Sequence, residues 1–383
     1  PAHRAAGWPS TPPTSTSASP YRGVHPAVPP AACSTDRPLR SLAPVELADF
    51  DYDLPDERIA QVPVEPRDSA RLLVDRGTDE PEHRLVRDLP DILRPGDLLV
   101  LNETRVIPAR LRLRRASGGA AEVLLLEPVD ADRRRWEALV RPGGKLRPGE
   151  QLFDGDVALV VMGERTAAGD TFRVELLGSD DPLVLLDRHG EMPLPPYIGT
   201  RLDDPDRYQT VFAREPGSAA APTAGLHFSP DLFERLALSG VTTATVELVV
   251  GLDTFQPIST ENPLEHPMHT ERYRVPAATW EACRDAERVV AVGTTAVRAL
   301  ESAAARGELS GRTDLFIHRG FEWQVVDVMM TNFHLPKTTL LMMIDAFVGE
   351  RWRSLYEAAL ANDYRFLSFG DAMLLDRHAP RQR

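Results

Sequence analysis

Apolar and polar residues alternate in short runs between residues 106 and 183. In the run 110–114 two leucines alternate with three arginines, and Ser117-Gly118-Gly119 then turns the chain toward another run at 122–127. A period of two is typical of a strand with one buried face. Similar runs predict further strands at 136–140, 151–153, 157–162 and 171–177. Short strands at this spacing predict a small β-barrel, inserted into a larger domain.

Outside this segment, apolar runs of strand length alternate with helical patterns. Before it, strands are predicted at 71–74 and 98–101 and a short helix at 56–61. After it, strands are predicted at 242–250, 289–292, 313–317 and 325–330, and helices at 230–239, 276–288, 295–306 and 338–348. This alternation predicts a layered α/β domain with a largely parallel or mixed sheet, whose strand ends direct loops toward a common crevice.

The composition changes at the start of the chain. Residues 1–44 are dense in Pro, Ala, Ser and Thr, which predicts a disordered tail with little to bury. We therefore predict five segments: the tail 1–44, the first part of the α/β main domain 45–105, the β-barrel insert 106–183, the second part of the main domain 184–375, and a C-terminal tail 376–383.

The overall composition is that of an ordinary soluble protein. Of the 383 residues, 42% are hydrophobic and 26% are charged, and no apolar run reaches the roughly 18 residues that a membrane helix needs. Two cysteines, Cys33 and Cys283, cannot build a disulfide framework, which favours the reducing cytoplasm. The net charge of −13 disfavours a broadly basic nucleic-acid binder but leaves room for a local basic patch.

Positive charge collects in the predicted barrel. The candidate RNA-binding residues there are Arg112, Arg114, Arg115 and Lys145, and several more arginines lie nearby. A basic barrel in an acidic chain is a reasonable nucleic-acid face. The alternative is a solvated strand face with outward arginines, and the lack of an accompanying aromatic platform disfavours sequence-independent single-strand binding.

The segment 208–228 is unusually rich in groups that can act as acids, bases or hydrogen-bond partners. Besides Gly225, it contains Tyr208, Arg214, Thr223 and His227. Loops often hold functional groups because a rigid scaffold presents them to substrate. Incidental polar residues on a surface loop are the alternative interpretation.

Further polar turns follow in the second half of the main domain. The segment 289–301 runs from a strand through Gly293-Thr294-Thr295 into a helix, which predicts a pocket for an anion or polar ligand at the helix start. A plain helix cap is the alternative role for either threonine. Asn332 and His334 lie in another dense turn, and Asp371 lies in the last. The histidine spacing matches no zinc signature, so no metal is expected.

Taken together, these turns resemble the S-adenosylmethionine:tRNA ribosyltransferase-isomerase family of queuosine biosynthesis. The resemblance covers about residues 49 to 374 in order. The matching segments are DFDYDLPDERIAQVP (49–63), RDSARLLV (67–74), GDLLVLNETRVIPARL (96–111), GEMPLPPYI (190–198), YQTVFAREPGSAAAPTAGLHF (208–228), MHTERYRVP (268–276), VVAVGTTAVRALES (289–302), VVDVMMTNFHLPKTTLL (325–341) and YRFLSFGDAML (364–374).

The resemblance implies an unusual use of S-adenosylmethionine, as a ribosyl donor rather than a methyl donor. The ribosyl unit goes to 7-aminomethyl-7-deazaguanine at the tRNA wobble position and is isomerised to give epoxyqueuosine, while adenine and methionine leave. The donor is then a co-substrate, with no separate cofactor, and the partner is the anticodon region of tRNA. The resemblance also implies a monomer, and an α/β domain that carries an inserted β-barrel.

The donor's chemistry suggests roles for the polar turns. Its sulfonium acidifies the adjacent ribose carbon, so a positioned base can start the reaction by removing a proton. We predict His227 and His334 as the leading acid or base residues, with His269 third. The candidate substrate-binding residues are Tyr208, Arg214, Thr223, Gly225, Thr294, Thr295, Arg298, Asn332 and Asp371. Arg298 is included because a guanidinium can hold a carboxylate or phosphate with two bonds.

One segment departs from the family pattern. Where the family usually reads His-Val-Gly-Ala-Gly-Thr-Phe, this chain has Val-Val-Gly-Leu-Asp-Thr-Phe at 249–255, and the usual Pro-Gly turn reads Arg319-Gly320. These changes keep two other hypotheses open. One is a diverged paralogue that uses S-adenosylmethionine on another acceptor, and the other is a non-catalytic nucleoside- or RNA-binding protein.

Overall fold

The computed structural model describes residues 46–77, 80–143, 145–166, 169, 171–250, 258, 260, 262–266, 268 and 270–377. The described strands are β1 (Arg71–Asp75), β2 (Glu82–Leu85), β3 (Asp97–Asn102), β4 (Thr104–Val106), β5 (Arg110–Arg115), β6 (Ala120–Pro128), β7 (Arg135–Arg141), β8 (Gln151–Asp154), β9 (Val157–Arg165), β10 (Phe172–Leu176), β11 (Glu215–Ser218), β12 (Thr242–Leu248), β13 (Glu271–Arg274), β14 (Arg288–Val292), β15 (Ser310–Thr313), β16 (Val328–Asn332) and β17 (Ala372–Asp376). The described α-helices are α1 (Leu89–Ile92), α2 (Pro182–His189), α3 (Pro230–Leu238), α4 (Ala277–Asp285), α5 (Thr294–Arg306), α6 (Thr339–Val348) and α7 (Trp352–Ala361). The predicted disordered tail 1–44 lies outside the described residues.

Nine of the described strands form one mixed sheet, in the order β15-β13-β12-β3-β14-β16-β17-β1-β2. Its centre is parallel: β12 and β14 both run parallel to β3, and β16 runs parallel to β14. The next strand, β17, is antiparallel to β16 and parallel to β1. The carboxyl ends of the four central parallel strands therefore meet at one edge of the sheet.

The sheet separates two hydrophobic layers, because side chains alternate along its buried strands. In β3, Leu98 and Val100 pack into one layer and Leu99 and Leu101 into the other. Helices α5 and α6 contribute to the first layer, and α1 and α3 cover the second. This three-layer arrangement confirms the predicted α/β main domain.

The insert is a closed six-stranded barrel in the order β10-β7-β6-β5-β8-β9, as counted over the described residues. Along β5, Leu111 and Leu113 point into the barrel core, whereas Arg112 and Arg114 are exposed. The inserted β-barrel predicted from the alternating pattern is confirmed.

Several element boundaries were predicted wrongly, and side-chain hydrogen bonds explain two of them. The strand predicted at 313–317 ends at Thr313, whose hydroxyl accepts a bond of 3.1 Å from the peptide N–H of Leu315 and turns the chain. The strand predicted at 325–330 begins only at Val328, because the N–H groups of Val325 and Val326 donate to the buried carboxylate of Glu301. The predicted helix at 276–288 ends at Asp285, and α2 and α7 were not predicted.

Across the part of the chain that the structure describes, no helix is long and apolar enough to cross a membrane.

Candidate active site

A cavity opens at the edge of the sheet where the central parallel strands end. Ligands usually bind at this edge in open α/β sheets, outside the carboxyl ends of the strands. We call it the His334 cavity; its empty volume is about 600 Å³, part of which opens to solvent. Its polar lining residues are Tyr197, Thr223, Thr294, Thr295, Thr331, Asn332, His334, Thr338 and Ser368. Five of the predicted site residues, Thr223, Thr294, Thr295, Asn332 and His334, are thus brought together.

The first wall of the cavity is the start of α5. Gly293 precedes this helix with a φ of 86°, a conformation that favours glycine, and it has no side chain to cap the helix start. The side chains of Thr294 and Thr295 are nearly buried and line the cavity, and the hydroxyl of Thr295 has no hydrogen-bond partner among the described residues. The helix start therefore offers uncapped N–H groups and hydroxyls to a polar ligand.

The second wall joins the segment 208–228 to the end of β16. The hydroxyl of Thr223 donates to the amide oxygen of Asn332 at 2.9 Å, and the amide nitrogen of Asn332 faces the backbone carbonyl of Asp371 at 3.4 Å. Both side chains line the cavity. This chain of bonds holds three loops that are distant in sequence at one site.

His334 lies at the centre of the third wall and is held firmly through its backbone. Its N–H donates to the hydroxyl of Tyr356 at 3.0 Å, and its carbonyl accepts a bond from the hydroxyl of Tyr52. Its Nε2 lies 3.1 Å from the hydroxyl of Thr331, and Nδ1 makes no hydrogen bond to any of the described residues. Burial lowers the pKa of His334 from 6.5 to about 3. The imidazole is therefore neutral near pH 7, and two tyrosines fix the backbone that carries it.

Tyr197 and Ser368 complete the cavity and were missed as site residues by sequence reasoning. Their hydroxyls are 2.7 Å apart, and burial raises the pKa of Tyr197 to about 12, so the phenol keeps its proton. Both lie in segments that carried the family resemblance, 190–198 and 364–374. Membership in those segments was the available signal, because neither hydroxyl is distinctive by itself.

His227 lies behind the cavity wall, not in its lining. Its Nδ1 is 3.1 Å from the carbonyl oxygen of Ala224, and its Nε2 is 2.9 Å from that of Gly370. Burial lowers the pKa of His227. Because both ring nitrogens face backbone carbonyls, the residue is placed to connect two loops that shape the cavity. Its predicted catalytic role is not tested by this geometry and stays a prediction.

Three other predicted site residues also lie outside the cavity lining. Asp371 accepts bonds from the peptide N–H groups of Arg71 at 2.9 Å and Arg365 at 2.8 Å, so both carboxylate oxygens are engaged. Tyr208 is fully buried, with its ring edge-on to another aromatic ring, and Gly225 is tightly packed. These residues support the loops around the cavity, and His269 lies outside the described residues.

A second cavity lies beside the first, between the barrel and the main sheet. We call it the Arg298 cavity; its empty volume is about 1200 Å³, including open solvent. Arg298 is 5% exposed there and forms an ion pair with the buried Glu271. The departure from the family pattern reaches the Arg298 cavity, because Val249, which stands where the family has histidine, lines it, whereas Val250, which matches the family, lines the His334 cavity. Arg298 therefore does not line the same cavity as Thr294 and Thr295. It lines the neighbouring one.

A third, larger depression borders the barrel. We call it the arginine groove; its empty volume is about 2000 Å³, including open solvent. Its basic lining residues are Arg105, Arg110, Arg112, Arg201 and Arg214, against the acidic Asp187, Glu191 and Asp206. The groove adjoins the His334 cavity, since the consecutive residues Tyr197 and Ile198 line one each.

The predicted RNA-binding residues are distributed unevenly around this groove. Arg112 lines it and pairs with Glu191 at 2.8 Å, and Arg114 and Lys145 are exposed on the barrel. Arg115 instead makes two bonds to Glu150, at 2.5 and 3.1 Å, and its side chain is 24% exposed. Arg115 is therefore placed to hold the barrel together, whereas the other three are exposed to solvent, although Arg112 is paired with Glu191.

Comparison with known proteins identifies the family. The sequence model of the family described as "Queuosine biosynthesis protein" matches residues 47–375. The protein named S-adenosylmethionine:tRNA ribosyltransferase-isomerase from Symbiobacterium thermophilum is 53% identical over 346 residues, covering 86% of this chain and 100% of that protein. Its namesake from Carboxydothermus hydrogenoformans is 50% identical, with the same coverage of 86% and 100%.

Among solved structures, the chain is similar to the S-adenosylmethionine tRNA ribosyltransferase of Thermotoga maritima. The sequence identity is 40%, the TM-score is 0.49, and the match covers 85% of this chain and 99% of that one. The family match over most of the chain, together with the two close relatives, leads to one conclusion. The chain belongs to the S-adenosylmethionine:tRNA ribosyltransferase-isomerase family of queuosine biosynthesis.

Proposed function

We propose that this enzyme transfers the ribosyl moiety of S-adenosylmethionine to 7-aminomethyl-7-deazaguanine at the tRNA wobble position. Isomerisation of the ribosyl unit then gives epoxyqueuosine-tRNA, with release of adenine and methionine. The observation that carries this proposal is the 53% identity to a relative of that name over 100% of its length. S-Adenosylmethionine is a co-substrate here, and we expect no metal or separate cofactor.

The His334 cavity is the proposed site for the reacting part of the donor. If Nε2 of His334 donates to Thr331, the lone pair of Nδ1 is available to accept a proton. With a pKa of about 3, His334 is neutral but only weakly basic. The sulfonium offsets this weakness, because it acidifies the ribose carbon from which the proton is removed.

The other lining residues would position the donor rather than exchange protons with it. Thr294 and Thr295, at the start of α5, can bond ribose hydroxyls, and Asn332 offers an amide edge. Tyr197 keeps its proton because its pKa is about 12, so it can donate a hydrogen bond to the departing adenine. Holding donor and acceptor at fixed positions supplies much of the remaining rate acceleration.

The arginine groove is the proposed site for tRNA. Its five arginines against three acidic residues give a locally basic surface on a chain with a net charge of −13. Because it adjoins the His334 cavity at Tyr197 and Ile198, a base extruded from the anticodon loop can reach the donor. We expect the enzyme to act as a monomer in the cytoplasm.

A second candidate function is the same donor chemistry on another acceptor. The observation that favours it is the position of Val249, which stands where the family pattern has histidine and lines the Arg298 cavity. A small 7-deazapurine acceptor would make the arginine groove dispensable, so removal of its charges separates the two candidates.

His334 provides the test of the proposed chemistry. We expect His334→Gln to lower kcat by at least about 100-fold, the usual contribution of a general acid or base, with a much smaller change in KM for the donor. His83→Gln is the matched control, because His83 lies on β2 and lines none of the three cavities. A His334→Gln enzyme whose kcat stays within about threefold of the parent would contradict the assignment.

A further inference from the structure

The His334 and Arg298 cavities are neighbours. Leu340 lines both of them. Thr294 and Thr295 in the first cavity precede Arg298 in the second by four and three residues on α5, a spacing that places side chains on the same helix face. At a rise of 1.5 Å per residue, the two sets are separated by about 4.5–6 Å along the helix. The two cavities are therefore close enough for one elongated ligand to reach from one to the other.

Arg298 has hydrogen-bonding capacity that the described residues leave unused. One terminal nitrogen donates to Glu271, but Nε and the other terminal nitrogen are buried without a hydrogen-bond partner among the described residues. A buried guanidinium that is only partly paired is costly. An anionic group entering the cavity would supply the missing acceptor, and a carboxylate matches the geometry of a guanidinium.

The rest of the lining argues against a simple anion site. Besides Arg298 and Arg312, the cavity is lined by three carboxylates, of Glu127, Glu137 and Glu271. Glu127 pairs with Arg312 at 2.7 Å, so the lining as a whole is slightly acidic rather than basic. A ligand that carries both a carboxylate and a positive charge fits these surroundings better than a phosphate does.

Apolar residues line the same cavity between these charges. Leu315, Phe316 and Met343 are among them, so an uncharged arm can pack beside the ion pair. The methionine part of S-adenosylmethionine combines a carboxylate, an ammonium group, a short apolar arm and a sulfonium, and its net charge with the sulfonium is positive.

We propose that the Arg298 cavity binds the methionine arm of S-adenosylmethionine. The carboxylate bonds to Arg298, the ammonium lies against the acidic side of the lining near Glu271, and the ribose lies in the His334 cavity. This inference rests on the proposed function, since it assigns part of the same donor to a second cavity. It also makes Arg298 a specificity-determining residue, because it distinguishes donors that carry the carboxylate from those that lack it.

Equilibrium binding to the full chain without tRNA tests this proposal, with S-adenosylmethionine and its decarboxylated analogue as the probes. The parent protein is expected to bind S-adenosylmethionine about 30-fold more tightly than the analogue, because the analogue offers no acceptor to Nε and the second terminal nitrogen of Arg298. Arg298→Gln is expected to lower that ratio to about threefold or less. Arg306→Gln, at the exposed end of the same helix, should keep the parental ratio.

A second variant serves as a control for misfolding. Arg298→Gln leaves Glu271 as a buried charge, so Arg298→Gln combined with Glu271→Gln removes both charges and should show the same loss of discrimination. A ratio that stays near 30 in folded forms of both variants overturns the proposal. So does a loss of inorganic phosphate or tRNA binding in these variants with an unchanged ratio, since that result marks an anion site for another ligand.

The proposal and the proposed function can fail separately. If the parent enzyme modifies tRNA while Arg298→Gln keeps the parental binding ratio, the methionine assignment alone is wrong. If the folded parent binds S-adenosylmethionine but modifies no tRNA, the ratio still decides the methionine assignment. If the folded parent does not bind S-adenosylmethionine at all, both are overturned.

Discussion

The buried imidazole of His334 should make the free energy of unfolding depend on pH. A single substitution of this residue should remove that part of the pH dependence. The change is His334→Gln, which keeps a hydrogen-bonding amide near Thr331 but cannot titrate. In the parent, burial lowers the pKa of His334 from 6.5 to about 3. Because the folded pKa lies below the unfolded one, the unfolded chain binds the proton first, and acidification favours unfolding.

The size of the effect follows from that shift. Stability contributed by neutral His334 is fully present above pH 6.5 and is lost as the pH falls from 6.5 toward about 3. Each pH unit between the two pKa values changes the free energy of unfolding by about 1.4 kcal/mol. Acidification from neutral pH to about pH 4.5 should therefore reduce the free energy of unfolding by about 2.7 kcal/mol through this residue. Other groups titrate as well, but they do so in both proteins.

The assay is urea unfolding of the parent and of His334→Gln at several pH values between about 7.5 and 4.5. We expect the parent to lose stability more steeply, with the difference between the two proteins changing by about 2.7 kcal/mol over the range. Parallel stability curves, differing by a constant amount at every pH, would show that the folded state does not hold His334 neutral and would refute the reasoning.

Two further predictions concern the loop at the cavity and the barrel. Gly370→Ala should destabilise the fold by about 3 kcal/mol in urea unfolding, because its Cβ would lie 2.4 Å from the backbone oxygen of Arg365. Gly119→Ala, whose nearest contact is 3.6 Å, should change stability by less than about 0.5 kcal/mol, and equal effects would contradict the packing argument. Replacing Arg112 and Arg114 together with alanine should weaken tRNA binding and reduce the slope of log affinity against log salt by about 1–2. An unchanged slope would exclude both side chains from the tRNA contact.

The architecture could be predicted because each layer leaves its own periodicity in the sequence. The alternation in β5 indicated the barrel, and the buried runs at β3 and β14 indicated a sheet covered on both faces. The predicted ends of strands were wrong where a hydrogen bond to a single side chain determines where the strand begins or ends. Glu301, for instance, takes the N–H groups of Val325 and Val326 away from strand pairing, and no periodicity reveals a partner more than 20 residues away.

The site could be predicted as a group of turns but not as a set of contacts. Dense polar turns identified Thr223, Thr294, Asn332 and His334, which do meet in one cavity. The sequence could not distinguish these from His227, because whether an imidazole faces a cavity or two backbone carbonyls depends on the packing of loops that are 143 residues apart. Arg298 lies on α5 in the neighbouring cavity, a position that the sequence alone did not indicate.

We propose that this enzyme builds epoxyqueuosine from S-adenosylmethionine on tRNA. The most direct measurement incubates the purified chain with S-adenosylmethionine and tRNA that bears 7-aminomethyl-7-deazaguanine, followed by mass analysis of the digested nucleosides and of free adenine. We predict epoxyqueuosine and adenine in equal amounts. Folded protein that yields neither product, while an active relative yields both under the same conditions, would contradict the claim.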